Sequence, residues 1–176
     1  MTEPKLYVIT GVMAAGKSTV AQVLAERFES SAHVRGDAFR RAIVTGRHEM
    51  SPSPTDEALE QLRLRYELTA TVADRYVEAG FVTVVQDTIL GPMLPVALRF
   101  FRTKPAALVV LAPTVDVVAQ RETARAKTGY GAFTPADLDR VLREDTPRLG
   151  LWLDSSNQTP TETVDEILAN HDAALL

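Results

Sequence analysis

GVMAAGKST, residues 11–19, joins two stretches of opposite character. KLYVIT (5–10) before it is apolar and β-prone, and VAQVLAERF (20–28) after it is amphipathic, with Val20, Val23, Leu24 and Phe28 on one helical face. The join itself, Gly11-Val12-Met13-Ala14-Ala15-Gly16-Lys17-Ser18, fits G-x-x-x-x-G-K-[ST] without a mismatch, and Thr19 extends it by a second hydroxyl. Glycines let a backbone fold back so that successive N–H groups point inward. The helix that follows adds its positive end and its free amides. A lysine at position 17 reaches β- and γ-phosphates, and the Ser18 hydroxyl is a ligand for Mg²⁺. The stretch is expected to hold the phosphates of a nucleoside triphosphate.

Outward from this loop, apolar runs alternate with helical patterns. FVTVV (81–85) and AALVVLA (106–112) are continuous and rich in Val and Leu, like KLYVIT, as strands covered on both faces are. AHVRG (32–36) and LGLWL (149–153) are weaker strands. Leu59, Leu62, Tyr66, Ala70, Ala73 and Val77 form a long helical stripe that Gly80 ends. Three helix starts look alike: Ser53-Pro54-Thr55-Asp56, Thr134-Pro135-Ala136-Asp137 and Thr159-Pro160-Thr161-Glu162, each with hydroxyl at N-cap, proline at N1 and carboxylate at N3. This alternation predicts an α/β doubly wound sheet in one domain over residues 1–176, with ligands beyond the carboxyl ends of the strands.

The composition agrees. The chain has 176 residues, 45% of them hydrophobic and 24% charged, enough for an ordinary core. It has no cysteine, which excludes disulfides and thiolate metal sites. The net charge of −4 argues against a nucleic-acid partner. No run approaches the roughly 18 apolar residues of a membrane span, and MTEPKLYVIT does not read as a signal peptide. A cytoplasmic protein without membrane contact, monomeric or homodimeric, is the expectation.

The strand ends supply candidates for chemistry. Asp37, in Arg35-Gly36-Asp37-Ala38-Phe39-Arg40-Arg41, falls where a helix begins and is placed to accept a proton from an acceptor hydroxyl, or to cap that helix. Arg40 and Arg41 are candidates for holding the acceptor. Asp87, after Val84-Val85-Gln86, is where an acid orients Mg²⁺ through water or meets the acceptor. Arg121 and Arg125 share a helix face that runs into the glycine-rich TGYGAF, a pattern that reads as a cationic lid closing on phosphates over about residues 121–137. Asp154-Ser155-Ser156-Asn157-Gln158-Thr159-Pro160 is a polar loop suited to lie beside a nucleotide base. His33 and His171 have no partner at metal or triad spacing, and His48 lies in a loop of the acceptor region. No N-K-x-D guanine-reading motif is present.

With these pieces the chain resembles the P-loop small-molecule kinases related to chloramphenicol phosphotransferase, with adenylylsulfate kinase, gluconate kinase, zeta toxins and the tunicamycin-resistance protein as relatives. GDAFRR, RETAR and DSSNQTPTETVDEIL carry the resemblance beyond the phosphate loop. It implies a three-layer, nucleoside-monophosphate-kinase-like P-loop fold with a five-stranded parallel sheet and a short helical lid. It also implies that Asp37 acts on the acceptor hydroxyl, that Arg121 packs on adenine, that Arg125 contacts phosphates, and that Ser156 to Thr159 lie beside adenine. The acceptor-binding insertion spans about 38–79; within it the region 40–66, with Arg47, His48 and the SPSPTDE turn, matches neither the chloramphenicol pocket nor the gluconate or adenylylsulfate pockets. The function so implied is an ATP- and Mg²⁺-dependent phosphotransferase acting on a hydroxyl of a small molecule, antibiotic- or sugar-like. Its rivals are a nucleotide-binding resistance or regulatory protein that works by sequestering a ligand, and a toxin-like kinase of a nucleotide sugar. A polynucleotide kinase is disfavoured, for lack of a basic stripe with interleaved aromatics.

Overall fold

The computed structural model describes residues 4–124 and 131–176. Its five strands, β1 (Leu6–Gly11), β2 (Ser31–Arg35), β3 (Val82–Gln86), β4 (Ala106–Leu111) and β5 (Leu151–Leu153), form one sheet in the order β2-β3-β1-β4-β5. Every neighbouring pair is parallel. β1 and β4 are buried along their whole length, which is why their sequences are unbroken apolar runs. β2 and β5 are the sheet edges and are only partly buried, which is why AHVRG and LGLWL read more weakly.

Eight α-helices are described: α1 (Lys17–Ala25), α2 (Asp37–Ala42), α3 (Asp56–Glu78), α4 (Met93–Leu98), α5 (Val115–Thr123), α6 (Pro135–Arg140), α7 (Pro160–Ala169) and α8 (His171–Ala174). A π-helical turn, Val141–Asp145, continues α6. Right-handed crossovers place α1 on one face of the sheet and α3 and α4 on the other. α7 returns to pack on α1. The result is the three-layer arrangement, with Leu6, Val8, Ile9, Leu108 and Val110 at the centre of the core.

Thr134 and Thr159 close complete capping boxes with Asp137 and Glu162, as their sequences require. The start of α3 differs from its sequence reading. Thr55, not Ser53, is the N-cap, and its hydroxyl accepts from the Ala58 amide at 3.2 Å, so Pro54 lies outside the helix. Two threonine-like starts were available two residues apart, and the helix takes the one that leaves both Asp56 and Glu57 in its first turn, where the dipole favours them. The α3 stripe is buried at Tyr66, Ala70 and Ala73 and half-buried at Leu62 and Val77, but Leu59 is exposed and the polar Thr69 and Asp74 are buried as well. Asp74 is accommodated because it accepts from the Arg102 and Thr103 amides, each at 3.0 Å, and from the Thr103 hydroxyl at 2.7 Å. Burial pushes its carboxyl up, and these donors bring it below the ordinary carboxylate range.

Candidate active site

Three strand ends meet at the site. Residues 11–16 leave β1 and turn into α1, with Gly11, Ala14 and Gly16 at φ 144°, 62° and 96°. The turn admits little besides glycine at its root, because a Cβ on Gly11 would lie 2.4 Å from the Leu111 carbonyl oxygen of the neighbouring strand. Lys17 is buried and lies back across its own loop, donating to the carbonyls of Gly11 at 2.9 Å and Val12 at 2.7 Å. Ser18 and Thr19 stand exposed on the first turn of α1. This is a cradle of backbone N–H groups at a helix N-terminus, with one ammonium inside it and a hydroxyl at its rim.

β3 lies between β1 and β2, so the residue after it sits between the phosphate loop and the start of α2. That residue is Asp87. Its amide donates to the Ile9 carbonyl at 3.1 Å, and the Gly36 amide donates to the Gln86 carbonyl at 3.1 Å, which ties all three strand ends together. The Asp87 side chain has 0% exposure. Burial pushes its carboxyl up, against the pull of Arg65 and of the Thr88 amide, which donates at 2.7 Å. Gly36 makes room for it, since a Cβ there would fall 1.9 Å from Asp87 Oδ2.

Arg65, in the middle of α3, was absent from the sequence-derived candidates. Its Nε donates to Asp87 Oδ2 at 2.8 Å, its Nη2 donates to Oδ1, and its Nη1 is 4.0 Å from Asp37 Oδ1. Its side chain is 14% exposed. A buried carboxylate needs a paired cation, and removing one partner of such a pair costs about 3–5 kcal/mol. That need was the available signal: once Asp87 is placed inside the protein, a guanidinium has to reach it. On the sequence Arg65 looked like an ordinary polar position beside Tyr66. Tyr66 itself is buried in the same layer and donates its hydroxyl to the Thr88 carbonyl at 2.8 Å.

Asp37 is the first residue of α2, and Gly36 occupies the N-cap position without any side-chain cap. The capping alternative for Asp37 is therefore not what the structure contains. Its Oδ1 accepts from Arg40 Nε at 2.9 Å and its Oδ2 from Arg41 Nε at 2.5 Å. Burial pushes its carboxyl up, and the guanidiniums of Arg40, Arg65 and Arg41 pull it down to a net position below the ordinary range. It is ionised at neutral pH. Arg40 and Arg41, read from the sequence as acceptor contacts, thus hold Asp37.

On the other flank of the loop, Arg121 of α5 donates to the carbonyls of Ala15 at 3.4 Å and Ser155 at 3.2 Å. A groove of about 330 Å³ opens there, lined by Ala15, Gly16, Thr19, Arg121, Ser155 and Gln158 among others. Of the sequence candidates in the last loop, Ser156 accepts from the Thr114 amide at 2.8 Å and donates to Asp154, while Thr159 caps α7. Their neighbours Ser155 and Gln158 face the groove instead. The Ser155 hydroxyl is buried and has no hydrogen-bond partner among the described residues. Arg125 lies outside the described residues. Among the described residues no cluster of three or more metal-binding side chains is present, and no helix is long and apolar enough to cross a membrane.

Solved structures share this architecture. A sugar kinase from Janibacter sp. superposes with a TM-score of 0.67 at 21% identity, covering 96% of this chain and 94% of its own. The tunicamycin resistance protein of Deinococcus radiodurans gives 0.66 at 18% identity, covering 99% and 98%. The APS kinase of Mycobacterium tuberculosis, in complex with AMPPNP and APS, gives 0.68 at 16% identity, covering 97% and 99%. At identities this low the likeness establishes the fold, a P-loop kinase-like α/β architecture. No curated protein matches the sequence. Residues 6–147, which span the phosphate loop, Asp37, Arg65, Asp87 and Arg121, match the AAA domain family of P-loop proteins, and the chain belongs to that family.

Proposed function

We propose that this protein is an ATP-dependent kinase that transfers the γ-phosphoryl group to a hydroxyl of a small molecule. The observation that carries the reading is the placement of an ionised, solvent-accessible carboxylate, Asp37, one strand away from the phosphate loop, with Asp87 and Arg65 filling the strand end between them.

The chemistry follows from those groups. The bond from the γ-phosphorus to the β–γ bridging oxygen breaks, and a bond from phosphorus to the acceptor oxygen forms. The acceptor's proton passes to Asp37, and the products are ADP and a phosphate ester. Asp37 is a weak base, because its arginines hold its carboxyl low. That suits a loose transition state, in which the hydroxyl becomes acidic only as its oxygen bonds to phosphorus. Lys17, swung from the carbonyls of Gly11 and Val12 onto the phosphates, stabilises the transferring charge, and Arg125 is assigned the same task from the lid. Arg121 and Ser155 flank the nucleobase.

The residues fit Mg²⁺. Ser18 offers a hard oxygen at the mouth of the cradle, and Asp87 supplies a carboxylate behind it. Ser18 would hold the ion directly and Asp87 would orient its waters, and the ion would supply positive charge to the triphosphate. The test is ADP release from ATP and Mg²⁺ with a panel of hydroxylated compounds, each run beside Lys17→Ala. Turnover that Lys17→Ala abolishes supports the reading. Turnover unchanged in Lys17→Ala overturns it.

A further inference from the structure

A cleft of about 190 Å³ between α2, α3 and the irregular segment 43–55 is lined by Arg40 and Arg65, both of which lie against Asp37. Its wall is apolar: Ala42, Ile43, Met50, Leu62, Leu64 and Leu68 line it. Leu64 and Leu68 are one helical turn apart on α3 and remain 46% and 38% exposed, so the cleft leaves two leucines of its wall uncovered. Val44, at the rim segment, is 92% exposed. Single exposed leucines need no explanation, but a leucine pair in the wall of a concave site does.

The cations of the cleft are already committed. Arg65 is bound through two nitrogens to Asp87, a carboxylate with no exposure, and leaving that partner would strand a buried charge. Arg40 holds Asp37 through Nε and Glu49 through Nη1, at 2.9 and 2.5 Å. Glu49 is further ion-paired with Arg47 at 2.9 Å. The polar amide of Gln61 is spent as well, accepting from the His48 amide and donating to the Gly46 carbonyl, each at 2.8 Å. A carboxylate, sulfate or phosphate on an acceptor would have to share Arg40 with Asp37 and Glu49, and Arg65 with Asp87.

We infer that the acceptor is an uncharged amphipathic alcohol, whose apolar body packs on Leu64, Leu68 and Met50 while its hydroxyl reaches Asp37, and not an anionic polyol. This rests on the kinase reading for the identity of the cleft as the acceptor site, but the chemistry of the wall can be tested without turnover. N-phenyl-1-naphthylamine, a neutral fluorophore, is titrated onto the wild type and onto Leu64→Asp/Leu68→Asp, with the melting temperature and the binding of a fluorescent ATP analogue as checks on folding. The fluorophore is expected to bind the wild type, to be displaced by neutral aryl alcohols, and to be ignored by gluconate and shikimate. The double substitution should weaken it about tenfold or more, since a carboxylate in the wall resists desolvation. If the aspartates prevent folding, Leu64→Ser/Leu68→Ser should weaken the same titration in the same direction. Displacement by gluconate or shikimate, or binding that the substitutions leave intact, overturns the inference. Fluorophore binding lost on substitution, with no Lys17-dependent ADP release from any alcohol, would uphold the chemistry of the cleft and overturn the kinase reading. Lys17-dependent ADP release with gluconate or shikimate would do the reverse.

Discussion

Arg65 meets Asp87 side-on, with Nε 2.8 Å from Oδ2 and Nη2 on Oδ1, and the pair joins the middle of α3 to the end of the strand between the phosphate loop and Asp37. The middle of α3 is thereby fixed to the end of β3 by an ion pair that is almost wholly buried.

Replacing Arg65 tests this directly. Arg65→Ala leaves Asp87 buried without its cation and should cost about 3–5 kcal/mol of stability, measured by urea unfolding. Arg65→Lys keeps the charge but loses the two-pronged geometry, so it should recover part of the stability and little of the turnover. A variant as stable as the wild type would mean that Asp87 is neutral in the folded protein.

Gly36→Ala should act through Asp87, not through backbone strain. The backbone at Gly36, φ −60° and ψ −32°, suits any residue, but the added Cβ would sit 1.9 Å from Oδ2. Because Arg65 pins that carboxylate, the clash has to be relieved by shifting a strand end, at about 1–3 kcal/mol. Thermal unfolding reads the cost, and the double variant Gly36→Ala/Asp87→Ala should cost less than the sum of its parts.

Asp37→Asn should leave nucleotide affinity near that of the wild type and lower kcat by about 100-fold or more, as expected for loss of a proton acceptor. Nucleotide affinity is checked by calorimetry and kcat by ADP release. A kcat near that of the wild type removes Asp37 from the chemistry.

His33 gives the fold a sensitivity to acid. Its Nδ1 lies 2.9 Å from Gln22 Oε1, and burial, followed by the nearby Arg35 charge, brings its pKa from 6.5 down to about 4. Between those values the unfolded chain binds a proton that the folded chain refuses, so stability should rise with pH across that window and fall as pH drops through it. His33→Gln should flatten this part of the pH–stability profile, measured by denaturant unfolding at several pH values.

Much of the fold was legible in the sequence because the sheet is covered on both faces. Unbroken Val, Ile and Leu runs announced β1, β3 and β4, and Thr134 and Thr159 announced their own helices. The phosphate loop was legible because only backbone geometry and one lysine are needed to make it. The acceptor side was not, because its organisation is tertiary. Asp87 seeks a cation twenty-two positions back in the chain, on a helix whose apolar stripe gives no hint of it. Arg40 and Arg41 look like ligands for a substrate until Asp37 is seen between them. In the last loop the polar sequence located the groove, but which hydroxyls face it depended on a cap and a turn that engage Thr159 and Ser156.

The rim of the acceptor cleft is attached differently from everything around it. Residues 43–55 contain neither strand nor helix, and side chains moor them: Gln61 at Gly46 and His48, Glu49 at Arg40. Asp37 and Asp87, by contrast, directly follow the ends of β2 and β3, which the parallel ladder holds in register. On the proposed function, recognition and reaction would therefore be separable parts of this fold. Exchanging the moored segment for another of similar length would retune what is admitted while the machinery beneath stays in register, which makes this segment the natural place to engineer new specificity.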